Sequence, residues 1–294
     1  MDAGVTAFIY GETADMLWNR ARRSDNVNDT REGKEARKIT GKQTFIALAI
    51  TATLGGAGVY STLDTTSNNL SITPSSQTLD DPQLQFVQSI LGDTEDTWAQ
   101  LFSQSAQRYP LPSLTLYSNS VNSACGFAGS SAGPFYCPQD QRIYLDLEFF
   151  RIMGEQHAVI GEFAQAYVLA HEVGHHVQLE LGMSDPFEQA LNHGQRVTGD
   201  GGLEVRAELQ ADCLAGVWAH HAQRRLDWLE PGDIDAALNA AATFGDDSLQ
   251  RSANRTVRPE TFNHGTSQQR TSWFKAGFTS GKIDTCDTFN AEEL

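Results

Sequence analysis

The chain is short of positive charge, with 21 Lys and Arg residues against 37 Asp and Glu and a formal net charge of −16. Proteins that bind nucleic acids neutralise phosphates with basic surface, so this deficit argues against that class of function. The Gly-rich stretch at 126–133 lacks the lysine of a phosphate-binding loop. We therefore interpret it as a wall of a substrate cleft. The chain also lacks internal repeats.

Charge of either sign is absent from residues 43–63, which are mostly Ala, Ile, Leu, Phe and Gly. This length is just sufficient to cross a bilayer, and it predicts one transmembrane helix. A buried core helix and the apolar part of a cleaved signal peptide are the alternatives, because three glycines and four threonines make the stretch only moderately hydrophobic.

Basic residues cluster before this stretch, and none follows it until Arg108. By the positive-inside rule, residues 1–42 are a flexible cytoplasmic tail and the C-terminal part is exported. Residues 64–80 are rich in Ser, Thr, Asn and Pro and are typical of a linker. The expected location is a bacterial inner or cell membrane, with a single-pass chain and a periplasmic or extracellular domain at 81–294.

Cysteines are few, and all of them follow the predicted span: Cys125, Cys137, Cys213 and Cys286. An oxidising compartment would let them form disulfides. Of the three possible pairings we favour Cys125 with Cys137, which bracket one Gly-rich hairpin, and Cys213 with Cys286, which would tie the C-terminus to the domain. Four reduced, buried cysteines are the alternative.

The apolar pattern after residue 81 predicts an α+β fold that is mostly helical. Helical spacing between 84 and 102 indicates two helices divided at Gly92, and alternating apolar residues near 114–116 and 143–147 indicate a small sheet. Longer helices are predicted at 161–181, 203–226, 233–244 and 267–278, the last with a capping box formed by Thr266 and Gln269.

The sequence HEVGH at 171–175 lies inside the first of these long helices. Residues four apart share one face of a helix, so His171 and His175 can bind one Zn²⁺. Glu172 then lies beside a remaining coordination position, where it can act as general base toward a water whose pKa the metal lowers. A solvent-exposed pair of histidines would need a polar helix face that the flanking valines do not supply.

A third protein ligand is needed, and the class that uses a later histidine is excluded because Gln178 and Leu181 stand where it requires Gly and His. On the next long helix, Glu204, Glu208 and Asp212 repeat every four residues. Glu208 could bind the metal while Asp212 accepts the outer N–H of a ligand histidine. Glu204 is a possible competitor, and a solvated acidic face is the alternative for the whole stripe.

Several longer motifs carry a family resemblance: RSDNV at 23–27, GPFYCP at 133–138, AHEVGHHVQ at 170–178, ELQADC at 208–213 and HGTSQQR at 264–270. Together they resemble the bacterial neutral zinc metallopeptidases, which are membrane-anchored, gluzincin-like proteins. The resemblance spans roughly residues 16–289, so residues 1–15 are either an extension or follow a misplaced start codon. It implies a zincin-like domain with one zinc ion and with Glu208 as the third ligand. It also implies that Asp212 accepts a hydrogen bond from a ligand histidine.

The motif at 264–270 also resembles the H-P-x-T-x-x-R run of integral-membrane zinc peptidases, with Gly265 where those have Pro. That resemblance implies that His264 and Arg270 lie near the active site. Since His264 precedes a helix N-terminus, its side chain could meet a developing oxyanion; an ordinary capping-loop histidine is the alternative. His176 should face away from the metal, because it lies one residue beyond His175.

These features predict a zinc metallopeptidase that hydrolyses peptides or unfolded proteins outside the cytoplasm. A zinc amide hydrolase acting on cell-wall peptides would use the same residues, and a non-catalytic, membrane-tethered zinc scaffold would not need Glu172. The strand at 143–147 is the candidate for pairing with an extended substrate.

Overall fold

The structure is a computed structural model that describes residues 16–31, 48–49, 81–129 and 132–294. Residues 1–15, the predicted linker at 64–80 and most of the predicted span at 43–63 lie outside these ranges. Within the described residues, no helix is both long and apolar enough to cross a bilayer. Leu48–Ala49, the described part of the predicted span, form strand β2 instead of a helix. They pair with the edge of a sheet, whose open N–H and C=O groups accept a further strand.

The described residues are mostly helical. The helices are α1 (Pro82–Gln104), α2 (Glu148–His157), α3 (Glu162–Leu181), α4 (Asp185–Asn192), α5 (Leu203–Leu226), α6 (Asp233–Thr243), α7 (Asp246–Ser252) and α8 (Ser267–Ser280). Helix α3 ends at Gly182, which takes the left-handed conformation as predicted. Helix α8 begins with the predicted capping box of Thr266 and Gln269. The architecture is thus α+β with small sheets.

The larger sheet has the strand order β1-β3-β7-β6-β2. Its strands are β1 (Val27–Asp29), β2, β3 (Ser113–Tyr117), β6 (Phe135–Cys137) and β7 (Arg142–Asp146), and a separate hairpin consists of β4 (Ser120–Ser123) and β5 (Gly126–Gly129). Strand β7 pairs in parallel with β3 and antiparallel with β6. The prediction that residues 143–147 pair with a substrate is therefore wrong for residues 143 and 144, because both of their sides are already paired with neighbouring strands. The pairing with β6 ends at Tyr144, so the prediction stays open for residues 145–147.

The N-terminal part of the chain is folded onto the rest, so the prediction of a flexible tail is wrong for residues 16–31. Strand β1 pairs in parallel with β3 at the edge of the sheet. Helix α1 is continuous through Gly92, where two helices were predicted. A Cβ atom at Gly92 would lie 2.2 Å from the backbone oxygen of Arg22, so the glycine allows the N-terminal segment to approach the helix.

Helices α3, α5 and α8 pack closely in the centre of the domain. A Cβ at Gly174 would lie 2.9 Å from the Ala211 oxygen, which shows how near α3 comes to α5. The structure contains the two disulfides favoured from sequence. Cys125–Cys137 joins the hairpin to β6, and Cys213–Cys286 joins α5 to the C-terminal residues. This close packing fixes the positions of side chains that α3 and α5 direct at one another.

Candidate metal centre

Helix α3 presents two histidines to α5 from the middle of the protein. Because α3 is apolar on nearly every side, its central residues are buried, and His171 and His175 are 0% and 3% exposed. They lie one helical turn apart, with ring centroids separated by 4.8 Å. The HEVGH motif is therefore part of a buried helix, as the sequence predicts.

Helix α5 brings Glu208 to these two rings. The Glu208 carboxylate lies 3.1 Å from His171 Nε2 through one oxygen and 3.5 Å from His175 Nε2 through the other. One ligand atom from each of the three residues falls within 4.8 Å of the others, a spacing that suits a single metal ion. Among the described residues this is the group that could hold a metal, and it does not include Glu204.

Hydrogen bonds on the far side of each ring orient the two histidines. His171 Nδ1 lies 2.8 Å from Asp212 Oδ1, and His175 Nδ1 lies 2.9 Å from the Gln178 side-chain oxygen. Both oxygens accept, so each Nδ1 carries the hydrogen and each Nε2 is directed toward Glu208. Burial lowers the pKa of His175 to about 4, which keeps that ring neutral.

The charges around His171 favour a cation at this position. Burial alone would disfavour a charged ring, but Asp212 and Glu208 raise the pKa of His171 to about 10. Burial likewise opposes ionisation of Glu208, yet His175 and His171 hold its pKa at about 2. The carboxylates that favour a proton on His171 would equally favour a metal ion bound to the same nitrogen.

Asp212 is held by a fully buried arginine and a fully buried tyrosine. Arg270 donates from Nε to Asp212 Oδ2 at 2.8 Å and from Nη2 to Oδ1 at 2.9 Å. The Tyr167 hydroxyl donates to Asp212 Oδ1 and accepts from Arg270 Nη2 at 3.1 Å. Although burial opposes ionisation, Arg270 and His171 keep the pKa of Asp212 well below its usual range. Asp212 is thus an ionised, rigid acceptor for His171.

A family model described as "Putative neutral zinc metallopeptidase" matches residues 16–289 of the chain. The chain belongs to this neutral zinc metallopeptidase family. The match includes the three candidate ligands and extends over most of the sequence, and a buried group of two imidazoles and a carboxylate is a donor set that zinc accepts. The site and the family therefore agree on the metal.

Relatives in this family are similar over long stretches. The uncharacterized protein YpfJ of Escherichia coli strain K12 is 42% identical over 285 residues, which cover 93% of this chain and 99% of YpfJ. The uncharacterized protein Rv2575 of Mycobacterium tuberculosis strain H37Rv is 43% identical over 196 residues, or 63% of this chain and 65% of Rv2575. No solved structure shows significant similarity to the chain.

Glu172, the predicted base within the HEVGH sequence, is fully buried beside the three candidate ligands. Within the described residues no side chain donates a hydrogen bond to either of its carboxylate oxygens, and the donor that faces them is the backbone N–H of Tyr136. Burial raises the pKa of Glu172 to about 8, and Glu208 adds to the rise, while His171 and Arg270 act in the opposite direction. A buried carboxylate without a side-chain partner is energetically costly, so its retention next to the ligands indicates a role in the site's chemistry.

His264 and Asp246 form a second part of the site at the start of α8. Asp246 Oδ2 accepts the backbone N–H groups of Asn263, His264 and Gly265 at 2.8, 2.7 and 3.0 Å, and its other oxygen lies 3.3 Å from His264 Nδ1. Burial opposes charge on His264, but Asp246 and Glu208 raise its pKa to about 9. Both carboxylates therefore favour the protonated form of His264.

Glu204, the competing carboxylate on α5, is buried near His264 but is outside the candidate ligand group. Burial and the charge of Glu208 raise the pKa of Glu204 to about 7. The two carboxylates, one turn apart on α5, thus differ in their pKa values.

His176 faces the other side of α3, as expected from the helical rotation. Its Nε2 donates to the Pro110 backbone oxygen at 2.8 Å, so Nδ1 accepts from the Tyr136 hydroxyl at 2.9 Å. Burial lowers the pKa of His176. Its contacts join α3 to β6 and to the loop before β3, and it does not belong to the candidate ligand group.

Three residues of this site are not identified by the sequence analysis: Tyr167, Gln178 and Asp246. Tyr167 precedes His171 by four residues, and the helical period could have indicated that it lies on the same face. Gln178 follows His175 by three residues and shares that signal. Asp246 has no comparable signal, because its contact with the loop at 263–265 joins two segments that no local pattern connects.

Proposed function

We propose that this protein is a zinc-dependent peptidase in which His171, His175 and Glu208 hold the metal and Glu172 is the general base. One observation carries the proposal: three buried ligand atoms converge on one point, and a buried carboxylate that no side chain hydrogen-bonds lies beside them. We further propose that the domain is zincin-like. It resembles the gluzincins in its ligands, because two histidines come from one helix and a glutamate comes from a later helix.

The bound zinc would act as a Lewis acid and lower the pKa of water toward about 7. A structural zinc site is usually closed by a fourth protein ligand, whereas the described residues here supply three. This donor set favours a catalytic site over a scaffold.

Glu172 would take a proton as the scissile peptide carbonyl is attacked and pass it to the leaving amine. Burial raises the pKa of Glu172 and the charge of a bound zinc ion would lower it, so the group can take up and return a proton near neutral pH. Asp212 and Gln178 would keep the two histidines in the required tautomers. The dry surroundings strengthen each of these interactions.

His264 would donate a hydrogen bond to the negative charge that develops on the substrate carbonyl oxygen. Its raised pKa keeps it a donor near neutral pH, and Asp246 holds both its ring and its backbone. Its electrostatic coupling to Glu208 supports a place near the reacting carbonyl. The proposed substrates are peptides or unfolded proteins outside the cytoplasm, and cell-wall peptides are a second class that the same residues could hydrolyse.

The variant Glu172→Gln tests this function in the purified full-length protein. It keeps the shape of the side chain but cannot accept a proton, so hydrolysis of denatured casein should fall by about 10²- to 10⁴-fold. Zinc content and thermal stability should stay close to those of the wild type. Purified wall peptide as a parallel substrate distinguishes the two substrate classes.

The matched control is Glu204→Gln, which alters another buried glutamate next to the site but outside the ligand group. Its rate should remain within about 10-fold of the wild type, below the range typical of a lost general base. An undiminished rate in Glu172→Gln would show that Glu172 is not the base. A wild-type protein that hydrolyses neither substrate, while binding zinc, would favour the scaffold.

A further inference from the structure

The N-terminal segment at 16–31 is part of the same folded unit as the metal centre. Its strand β1 is hydrogen-bonded in parallel to β3, in the register Val27 with Leu114 and Asp29 with Leu116. Outside the strand, the backbone N–H of Leu17 donates to the Trp228 oxygen at 3.1 Å. The segment thus contacts both the sheet and the helical part of the domain.

Buried charge on α1 depends on this segment. Glu95 is only 1% exposed, and its carboxylate accepts from Ser24 Oγ at 2.6 Å, from Asn26 Nδ2 at 2.7 Å and from Arg22 Nη2 at 2.7 Å. An ionised buried carboxylate needs such donors. All three hydrogen-bonding side chains come from the RSDNV motif or the arginine just before it, so α1 is built to receive this segment.

The two residues that flank the stretch 32–80 form an ion pair with each other. Arg31 Nη2 lies 2.6 Å from Asp81 Oδ2, and Asp81 is also the N-cap of α1. The same guanidinium pairs with Asp29 at the end of β1. Residues 31 and 81, which flank this stretch, are therefore in direct contact.

From these contacts we infer that residues 16–31 and the metal centre lie on the same side of any membrane the protein is bound to, and that residues 32–80 begin and end on that side. Hydrogen-bonded strands are about 4.8 Å apart, whereas the hydrocarbon core of a bilayer is about 30 Å thick. A single crossing between 31 and 81 would separate β1 from β3. This excludes a single crossing within residues 32–80, such as the span predicted at 43–63.

The disulfides indicate which side this is. Cys125–Cys137 and Cys213–Cys286 form in an oxidising compartment, so the N-terminal segment is exported together with the domain. The inference does not depend on catalysis, because it rests on strand pairing and buried hydrogen bonds.

Cysteine labelling of the full-length protein in spheroplasts tests the inference. Asn19→Cys and Gln268→Cys each place one thiol at an exposed position, the first in the N-terminal segment and the second on α8. Neither position contacts the described disulfides. A membrane-impermeant maleimide should label both variants to the same extent in intact spheroplasts.

Labelling of both variants only after lysis would still support a shared side, but it would overturn the assignment to the exported side. Labelling of one variant in intact spheroplasts and of the other only after lysis would overturn the inference. A misfolded variant is recognised because its zinc content and thermal midpoint would differ from those of the wild type. In that case Asp25→Cys, at another exposed position of the segment, replaces Asn19→Cys.

Discussion

Glu95 and Glu172 are both buried glutamates within long helices, but their surroundings are opposite. Glu95 on α1 accepts hydrogen bonds from three side chains of the N-terminal segment. Glu172 on α3 accepts no hydrogen bond from any side chain among the described residues, and burial raises its pKa to about 8. The first arrangement stabilises a fold, while the second leaves a carboxylate poised to exchange a proton.

This difference shows how a structural carboxylate can be told from a functional one at equal burial. A satisfied buried carboxylate joins segments of the chain, and removal of its partners should destabilise the protein. An unsatisfied one carries an energetic cost in the folded state, which a protein retains where the group takes part in chemistry. The two regions should therefore respond to mutation in opposite ways.

The largest expected effect is on zinc content, which should depend on the candidate metal centre and not on the N-terminal segment. The double variant His171→Ala/His175→Ala should lose stoichiometric zinc, because two of the three ligands are removed. Ser24→Ala/Asn26→Ala should keep about one zinc per chain, as expected for a site that those residues do not touch. Elemental analysis of the purified proteins measures both. Zinc at the wild-type ratio in the histidine variant would place the metal elsewhere.

The free energy of unfolding should respond in the opposite order, with the larger loss in the variant of the N-terminal segment. Ser24→Ala/Asn26→Ala leaves the Glu95 carboxylate with fewer donors, and hydrogen bonds to charged groups contribute about 1.5 to 3 kcal/mol each. We expect the free energy of unfolding in urea to fall by about 3 to 6 kcal/mol, the sum for the two hydrogen bonds removed. Glu172→Gln should not lower it, because the carboxylate that this change removes is costly to bury.

The control for this prediction is Asn19→Ala/Asn28→Ala, which changes two exposed positions of the same segment. Surface substitutions of this kind usually stay within about 0.5 kcal/mol per site. Equal destabilisation by the two double variants would mean that the segment contributes only through its backbone and that the contacts to Glu95 are incidental.

A smaller effect, on zinc affinity, should distinguish two buried tyrosines. Tyr167 hydrogen-bonds Asp212, the partner of His171, and Tyr136 hydrogen-bonds His176. Tyr167→Phe removes a donor to Asp212, the residue that orients His171, so zinc affinity should fall by about 10-fold. Tyr136→Phe removes a hydrogen bond to His176 and should leave zinc affinity unchanged. Competition with a chromogenic chelator measures both constants. Equal affinities in the two variants would remove Tyr167 from the metal site.

The helical part of this fold could be predicted from sequence because its signals are local. Helix α5 occupies residues 203–226 as predicted, and α8 begins at its predicted capping box. The ligands His171, His175 and Glu208 follow from helical spacing and the family resemblance. In each case the pattern that specifies the element lies within the element itself.

The parts that differ from prediction depend on contacts between distant segments. Strand β1 pairs with β3, which is more than eighty residues away in sequence. Residues 16–31 contain too few apolar residues to show the alternating pattern that indicates a strand. The same contact explains Gly92, whose role is to admit the Arg22 backbone rather than to end a helix. Strand β7 lies inside the sheet for a similar reason, since its parallel partner β3 belongs to a separate, earlier segment of the chain.

Zinc K-edge X-ray absorption of the purified full-length protein tests the central claim most directly. The account predicts one zinc per chain with two imidazole nitrogens at about 2.0 to 2.1 Å, oxygen ligands at about 2.0 to 2.2 Å and no sulfur, since all four cysteines are paired in disulfides. The imidazole signal should disappear in His171→Ala/His175→Ala. Sulfur ligands at about 2.3 Å, or a wild-type protein without zinc, would contradict the account.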